Sequence, residues 1–385
     1  MKLELSEEQQ MLKQTIKRFL ENEIRPYAEE YTDQLIPKEL AHELLKKLIP
    51  FGFIVGPFPE EAGGMNLDTI SQGILYEELF RVFPGLGGIA FITQDTALSL
   101  YEDGNEEQIN RFIPKLLSGD YIGCVAVTEP DVGSNPSDVK TRAILEDGRY
   151  RMNGQKIWIS NGSISDLAIV LARTEKEAGK KSVSRFIVER SVSEYSTKDI
   201  KKLGLNAWPT SELFFDDISV PEENLLGETG EGLKSTLKAF ERARCFVALY
   251  SIGISQASVD ATIQYVKDRQ QWGKPIGQHQ MVQDMLAEML TELDAARLLA
   301  YRGLYLIGKG VRCDTQTSMA KYYATEAGVK ITSNAIQIHG GYGLSKEFPV
   351  ERYFRDARML TIPDGTSQIQ KLIIARNSIG LAAFK

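Results

Sequence analysis

The sequence predicts a mostly helical α+β protein. An N-terminal helical domain spans residues 1–120, a middle antiparallel β-barrel-like domain 121–230, and a C-terminal four-helix bundle 231–385. Three observations carry this reading. Apolar residues recur at helical spacing through the first third. Short alternating segments separated by the pairs Asp147-Gly148 and Asn153-Gly154 fill the middle. From Gly232 on, long stretches free of proline return to helical periodicity, with no βαβ alternation.

Each element has its own signal. Ser6-Glu7-Glu8-Gln9 has the pattern of a capping box. Leu12, Ile16, Phe19, Leu20 and Ile24 then mark one amphipathic helix, and Leu40, Leu44, Leu45 and Leu48 a second, ended by Pro50. Further helices are expected over 68–82, 86–103 and Glu106 to Leu117. Tyr121 to Val127 is a short apolar run, and Asp147-Gly148 and Asn153-Gly154 read as hairpin turns. Segments 167–171, 185–188, 213–215 and 218–221 continue the β pattern. Leu233 to Lys267, Gln280 to Gly308, Gln316 to Gly340 and a last stretch from Thr366 read as four antiparallel helices.

Bulk composition excludes several classes. The 385 residues are 43% hydrophobic and 25% charged, ordinary values for a globular protein of two or three domains. The net charge of -7 and the absence of a basic block argue against nucleic acid. Residues Met1 to Ser6 show no signal-peptide pattern, and no window is expected to reach transmembrane length. Cys124, Cys245 and Cys313 are few and far apart, which fits a reducing, cytoplasmic setting. His42, His279 and His339 lack metal-ligand spacing, so no metal is expected.

Several stretches could carry chemistry. Gly85-Leu86-Gly87-Gly88-Ile89-Ala90 formally matches a dinucleotide fingerprint, but no strand precedes it, and the glycines read better as close helix contacts. Asp95 falls within an apolar stripe, so it is either a satisfied buried acid or an acid or base facing a pocket. The loop Thr128 to Asn135 can present amides and hydroxyls. Trp158-Ile159-Ser160 places an aromatic beside a hydroxyl at a strand end, where it could cover a flat ring system. Glu241 and Arg244 share a helix face, by default as a solvated ion pair. Arg269 joins two bundle helices and is placed to meet an anion, and Gln337 to Gly343 ends a helix in glycines. In Thr361-Ile362-Pro363-Asp364-Gly365-Thr366, Asp364 stands on a turn at a helix N-terminus, as a cap or as a functional carboxylate.

In order and spacing, these segments resemble the acyl-CoA dehydrogenase family over nearly the whole chain. The matching pieces are the T-E-P-x-x-G-S loop at Thr128 to Ser134, Trp158-Ile159-Ser160, Arg269 to Ile276, Gln337 to Gly341, and Gly365 to Gln370. The resemblance implies an FAD-dependent dehydrogenase, usually a homotetramer, that passes electrons to an electron-transfer flavoprotein. It implies flavin contacts from Val127, Thr128, Trp158, Ile159 and Ser160. It implies contacts to the rest of FAD from Arg269, Gln280, Gln337, Gly340, Gly341, Thr366 and Gln368. Ser134, Glu241, Arg244 and Gly365 match substrate-contact positions. Family members take an α-proton from an acyl-CoA with a carboxylate, while a β-hydride passes to the flavin.

This chain departs from the family at the base. The usual glutamate, preceded by tyrosine, is replaced by Asp364, preceded by Pro363. A reacting group displaced by about 1 Å can cost on the order of a hundredfold in rate. The alternative glutamate position on the long helix is Ala243. Asp95 stands where the family normally has an apolar residue of the acyl cavity, so two aspartates are expected at one pocket. This resembles members acting on cyclohexane or cyclohexene carboxyl-CoA, including a 1,4-elimination with an aspartate at the position of Asp95. The alternatives are a short or branched acyl-CoA, or a carrier-protein-bound acyl group, with Asp364 as base, and a flavin-dependent acyl-CoA oxidase.

Overall fold

A computed structural model describes residues 4–174 and 182–383. Met1 to Leu3, part of the segment where no signal-peptide pattern is expected, lie outside the described residues. The capping box forms as expected: the Ser6 hydroxyl accepts the Gln9 N–H, and the Gln9 side chain accepts the Ser6 N–H, at the start of α1 (Glu7–Phe19). The apolar stripe continues to Ile24 through a π-helical turn, Leu20–Ile24, ahead of α2 (Arg25–Glu30). Then come α3 (Lys38–Leu48), α4 (Thr69–Val82), α5 (Pro84–Asp103) and α6 (Glu106–Leu117). Nearly every residue of α4 and α5 is buried, so these two helices form the centre of the N-terminal part. The Gly85–Ala90 stretch lies inside α5. A Cβ on Gly88 would sit 2.5 Å from Trp208, and one on Gly87 2.5 Å from Phe80, so both glycines serve close packing.

The middle part is one eight-stranded sheet made of β1 (Gly123–Ala126), β2 (Arg142–Glu146), β3 (Arg149–Ser160), β4 (Leu167–Arg173), β5 (Val183–Glu189), β6 (Ser196–Asp199), β7 (Thr210–Pro221) and β8 (Leu225–Leu226). Their order is β6-β7-β3-β2-β4-β5-β8, with β1 against β4. The pairing is antiparallel except that β4 runs parallel to both β1 and β2. A purely antiparallel sheet is therefore not what forms: the polar loop and the β2–β3 hairpin between β1 and β4 supply the long crossover that parallel neighbours need. The Asp147-Gly148 turn joins β2 to β3 with both residues left-handed, at φ 49° and 74°. Asn153-Gly154, by contrast, is not a turn. β3 runs through it, its register against β7 shifts between Met152 and Gly154, and a Cβ on Gly154 would lie 2.5 Å from the Thr141 hydroxyl. A bulge with no room for a side chain carries the same dipeptide signal as a hairpin.

The C-terminal part comprises α7 (Gly232–Asp268), a two-stranded ribbon of β9 (Gln270–Gln271) and β10 (Lys274–Pro275), α8 (Gln280–Gly308), α9 (Asp314–His339), α10 (Val350–Met359) and α11 (Ser367–Ile379). α10 was not foreseen, because charged residues crowd its sequence. It buries Val350, Tyr353 and Ala357, and Asp356 accepts the Leu205 N–H, tying the bundle to the sheet region. The expectation on transmembrane length also needs correction. A window of α7 is long and apolar enough to cross a membrane, with a mean hydropathy of 1.2, but 78% of it is buried inside the protein. It is the central helix of the bundle.

Candidate active site

The turn before α11 is tightly held. Thr366, not Asp364, is the helix cap: its hydroxyl accepts the Ile369 N–H. Asp364 and Gly365 stand ahead of it in left-handed backbone, at φ 53° and 86°. That geometry favours glycine and tolerates aspartate. Two side chains fix the turn from below. The Gln370 amide donates to the carbonyls of Asp364 (3.0 Å) and Gly365 (2.9 Å). Lys321, fully buried on α9, donates to the carbonyls of Thr361 (3.2 Å) and Gly365 (2.9 Å).

The electrostatics separate the two aspartates. Burial pushes the Asp364 carboxyl up to about 6; the charge of Asp95 adds to this, and Lys321 and Arg244 oppose it. The Asp95 carboxyl is also raised by burial, against the pull of Arg242. Arg242 is its direct partner, at 3.0 Å, and also reaches Glu102 at 2.6 Å, which Lys238 approaches from outside. Asp95 is thus neither exposed nor bonded to threonine or backbone; it is a buried acid paired with a guanidinium. The expected solvated pair of Glu241 and Arg244 is not formed. Arg244 is buried with its Nε lacking a partner, and Glu241 accepts the Cys313 N–H at 3.1 Å. Burial lowers the Arg244 pKa, and Asp364 is among the charges that oppose this.

The sheet side brings the Thr128 and Trp158 segments together. The Ile157 N–H donates to Thr128 O at 2.9 Å. A second register shift in β3, between Lys156 and Ile159, leaves Trp158 at φ 63° and 54% exposed. A bulge of this kind re-aims a side chain, here out of the sheet core. Ile159 points the other way and is buried in the core, so only its main chain is free to meet a ligand. Val127 is buried, Thr128 and Ser160 are half-buried, and Ser134 is exposed at the loop tip.

A cavity of about 590 Å³ gathers the bundle residues: Arg269, Gly340 and Gly341 line it together with Tyr265, His339 and Tyr342. Arg269 caps α7, is exposed, and stands 5.7 Å from the Tyr342 ring. Gly340 closes α9 with φ 61°, and neither it nor Gly341 has a neighbour within 4 Å of an added Cβ. Gln280, Gln337 and Gln368 are exposed and lie outside this cavity. The sequence reading missed three residues. Lys156, fully buried, donates to Val127 O at 2.9 Å and Glu129 at 2.8 Å, and so anchors the Thr128 loop; burial lowers its pKa to about 8. Arg242 and Lys321 are the others. Lys321 had a signal: it interrupts the buried small-residue stripe Thr317, Ala324 and Gly328 of α9.

The arrangement sets a carboxylate of raised pKa on a rigid turn, an exposed aromatic at a strand end and a glycine-lined cavity beside an arginine. The chain belongs to the acyl-CoA dehydrogenase family. Family models match residues 6–120 (acyl-CoA dehydrogenase, N-terminal domain), 124–218 (middle domain) and 230–379 (C-terminal domain). The chain is 38% identical over 382 residues to an acyl-CoA dehydrogenase of Bacillus subtilis, covering 98% of this chain and 100% of that one. It is 36% identical over 375 residues to the caffeyl-CoA reductase-Etf complex subunit CarC of Acetobacterium woodii, covering 96% of this chain and 98% of that one. A glutaryl-CoA dehydrogenase of Mycobacterium smegmatis, solved in complex with FADH2, superposes with a TM-score of 0.90 at 29% identity, over 99% of this chain and 97% of that one. The protein is a flavin-dependent oxidoreductase acting on acyl-CoA, and FAD is its cofactor. The exposed Trp158, the Arg269 cation and the open glycine backbone at Gly340 and Gly341 suit a flat ring and a pyrophosphate.

Proposed function

We propose that the protein dehydrogenates an alicyclic acyl-CoA thioester of the cyclohexane or cyclohexene carboxyl-CoA type. The observation that carries this is the buried Asp95–Arg242 pair, whose charge acts on Asp364. In the family, the position of Asp95 belongs to the acyl cavity. A linear alkyl chain there would have to pack against a charged pair with no compensating hydrogen bond. A compact ring held between two carboxylates presents a different ring carbon to each of them.

Asp364 takes the ring proton next to the thioester carbonyl in the cyclohexane substrate. Its pKa of about 6 leaves it ionised at neutral pH, yet basic enough to be useful. For the cyclohexene substrate, Asp95 takes the more remote proton of a 1,4-elimination. FAD, when bound, accepts the departing hydride. Trp158, Thr128 and Ser160 would hold its ring system, and Arg269 with Gly340 and Gly341 its pyrophosphate half. Arg244 and Glu241 would face the thioester arm. The relative in an Etf complex supports an electron-transfer flavoprotein as acceptor, and family membership supports a homotetramer.

Anaerobic bleaching of the flavin tests the proposal. Cyclohexanecarboxyl-CoA and cyclohex-1-ene-1-carboxyl-CoA should bleach it, and butyryl-CoA should do so far more slowly. Asp95→Asn should abolish bleaching by the cyclohexene thioester and spare the cyclohexane one. Bleaching by butyryl-CoA alone sinks the alicyclic reading. Peroxide formation during turnover, without need of the flavoprotein acceptor, would instead indicate an oxidase.

A further inference from the structure

Lys321 is an unusual residue to bury. Its side chain is fully enclosed on α9 and, among the described residues, makes no direct ion pair. Both of its hydrogen bonds go to main-chain carbonyls, Thr361 O and Gly365 O, on either side of Asp364. An ammonium group is costly to desolvate, and two carbonyl acceptors satisfy it only in part. A neutral donor such as glutamine could bond one carbonyl without that cost. The charged groups around it are Asp364 on the turn, Glu326 on its own helix and Arg244 on α7. Asp95 on α5 acts on the same site through Asp364.

We propose that Lys321 is the positioning residue for the base: it clamps the turn that carries Asp364, and its positive charge holds that carboxylate in the ionised form. The inference rests on reading Asp364 as the base. Because the ammonium is spent on the carbonyls, it does not occupy the carboxylate, and Asp364 keeps its lone pairs for a substrate proton. The charge still acts across the turn. Burial lowers the pKa of Lys321 to about 8, so it stays protonated through the range in which Asp364 titrates.

The test is the pH profile of anaerobic flavin reduction in the holoenzyme, with cyclohexanecarboxyl-CoA as probe. Wild type should show an acid limb near 6. Lys321→Met should move that limb up by about one unit. It should also slow reduction by at least about tenfold at neutral pH, with little change in KM. Lys321→Arg should keep the limb near its wild-type position. Lys321→Gln, which retains a donor for the carbonyls, should show the same shift as methionine with a smaller loss of rate, and it serves if the methionine variant does not fold. Difference infrared titration of the Asp364 carboxyl, wild type against Asp364→Asn, reads the same shift without substrate. An unshifted limb in the neutral variants overturns the role of Lys321. If Asp364→Asn itself reduces flavin at the wild-type rate, the reading of Asp364 as base fails instead.

Discussion

Asp95 and Asp364 are two aspartates of one site with different surroundings. Asp95 has a guanidinium of its own, and Arg242 is itself held by Glu102. Asp364 has two cations nearby but no direct bond from either: Lys321 bonds carbonyls, and Arg244 stands with an unpartnered Nε. A direct pair fixes a carboxylate and consumes an acceptor. Cations held at a distance leave the carboxylate free while tempering the effect of its burial. In the proposed reaction this difference suits Asp364 to the proton next to the thioester carbonyl and holds Asp95 fixed for the more remote one.

The largest expected effect separates the two directly. Asp364→Asn should slow flavin reduction by cyclohexanecarboxyl-CoA about a thousandfold, the usual scale for a lost general base, whereas Asp95→Asn should leave this rate within a few-fold of wild type. Stopped-flow reduction under anaerobic conditions measures both. An equal loss in both variants would erase the distinction.

Next comes stability. Arg242→Leu leaves Asp95 buried without a partner and should cost about 3 kcal/mol. The double variant Asp95→Leu/Arg242→Leu should recover most of that loss. Denaturant melts of the three proteins check it; a double variant no better than the single would mean that the pair is not what Arg242 stabilises.

The third effect is pH-dependent. Asp364 has a native pKa of about 6 against an ordinary 3.8, so between these values the folded protein binds more protons than the unfolded chain. Asp364 therefore costs stability as pH rises from about 4 to 6, and the full cost is present above 6. Asp364→Asn should be more stable than wild type at pH 7.5, by about 3 kcal/mol. The advantage should shrink below pH 6 and vanish near pH 4. A variant less stable at pH 7.5 would contradict the raised pKa.

The smallest effect tests the outer end of the Asp95 network. Glu102→Gln should cost about 0.5 kcal/mol in melts, since Glu102 is partly exposed and its pairs are screened. It should leave the flavin-reduction rate unchanged, because Arg242 retains Asp95. A loss of rate would show that Asp95 depends on the whole network.

Much of this site was legible in the residues. The loop at Thr128 to Ser134, the tryptophan at Trp158, the arginine at Arg269 and the turn at Asp364 all carry local signals in their residue types and spacing. The failures share a cause. Asn153-Gly154 looks like a hairpin because the same dipeptide serves a bulge, and only the partner strand β7 decides between them. Glu241 and Arg244 have the spacing of an ion pair, but Glu241 finds the Cys313 N–H and Arg244 is buried. Arg242, Lys156 and Lys321 were passed over because a charged residue in a helix or strand usually faces solvent.

By itself, the sequence determined the order of helical and sheet regions, the helix cap at Ser6, and the presence of an aspartate where the family carries its base. Those features depend on local periodicity, turn chemistry and residue identity, all of which act over a few positions. Only the tertiary structure decided which cation meets which carboxylate. Arg242 lies 147 positions from Asp95, and Lys321 lies 44 from Gly365. Pairing and desolvation are set by what the fold packs around each group, and no local pattern records that.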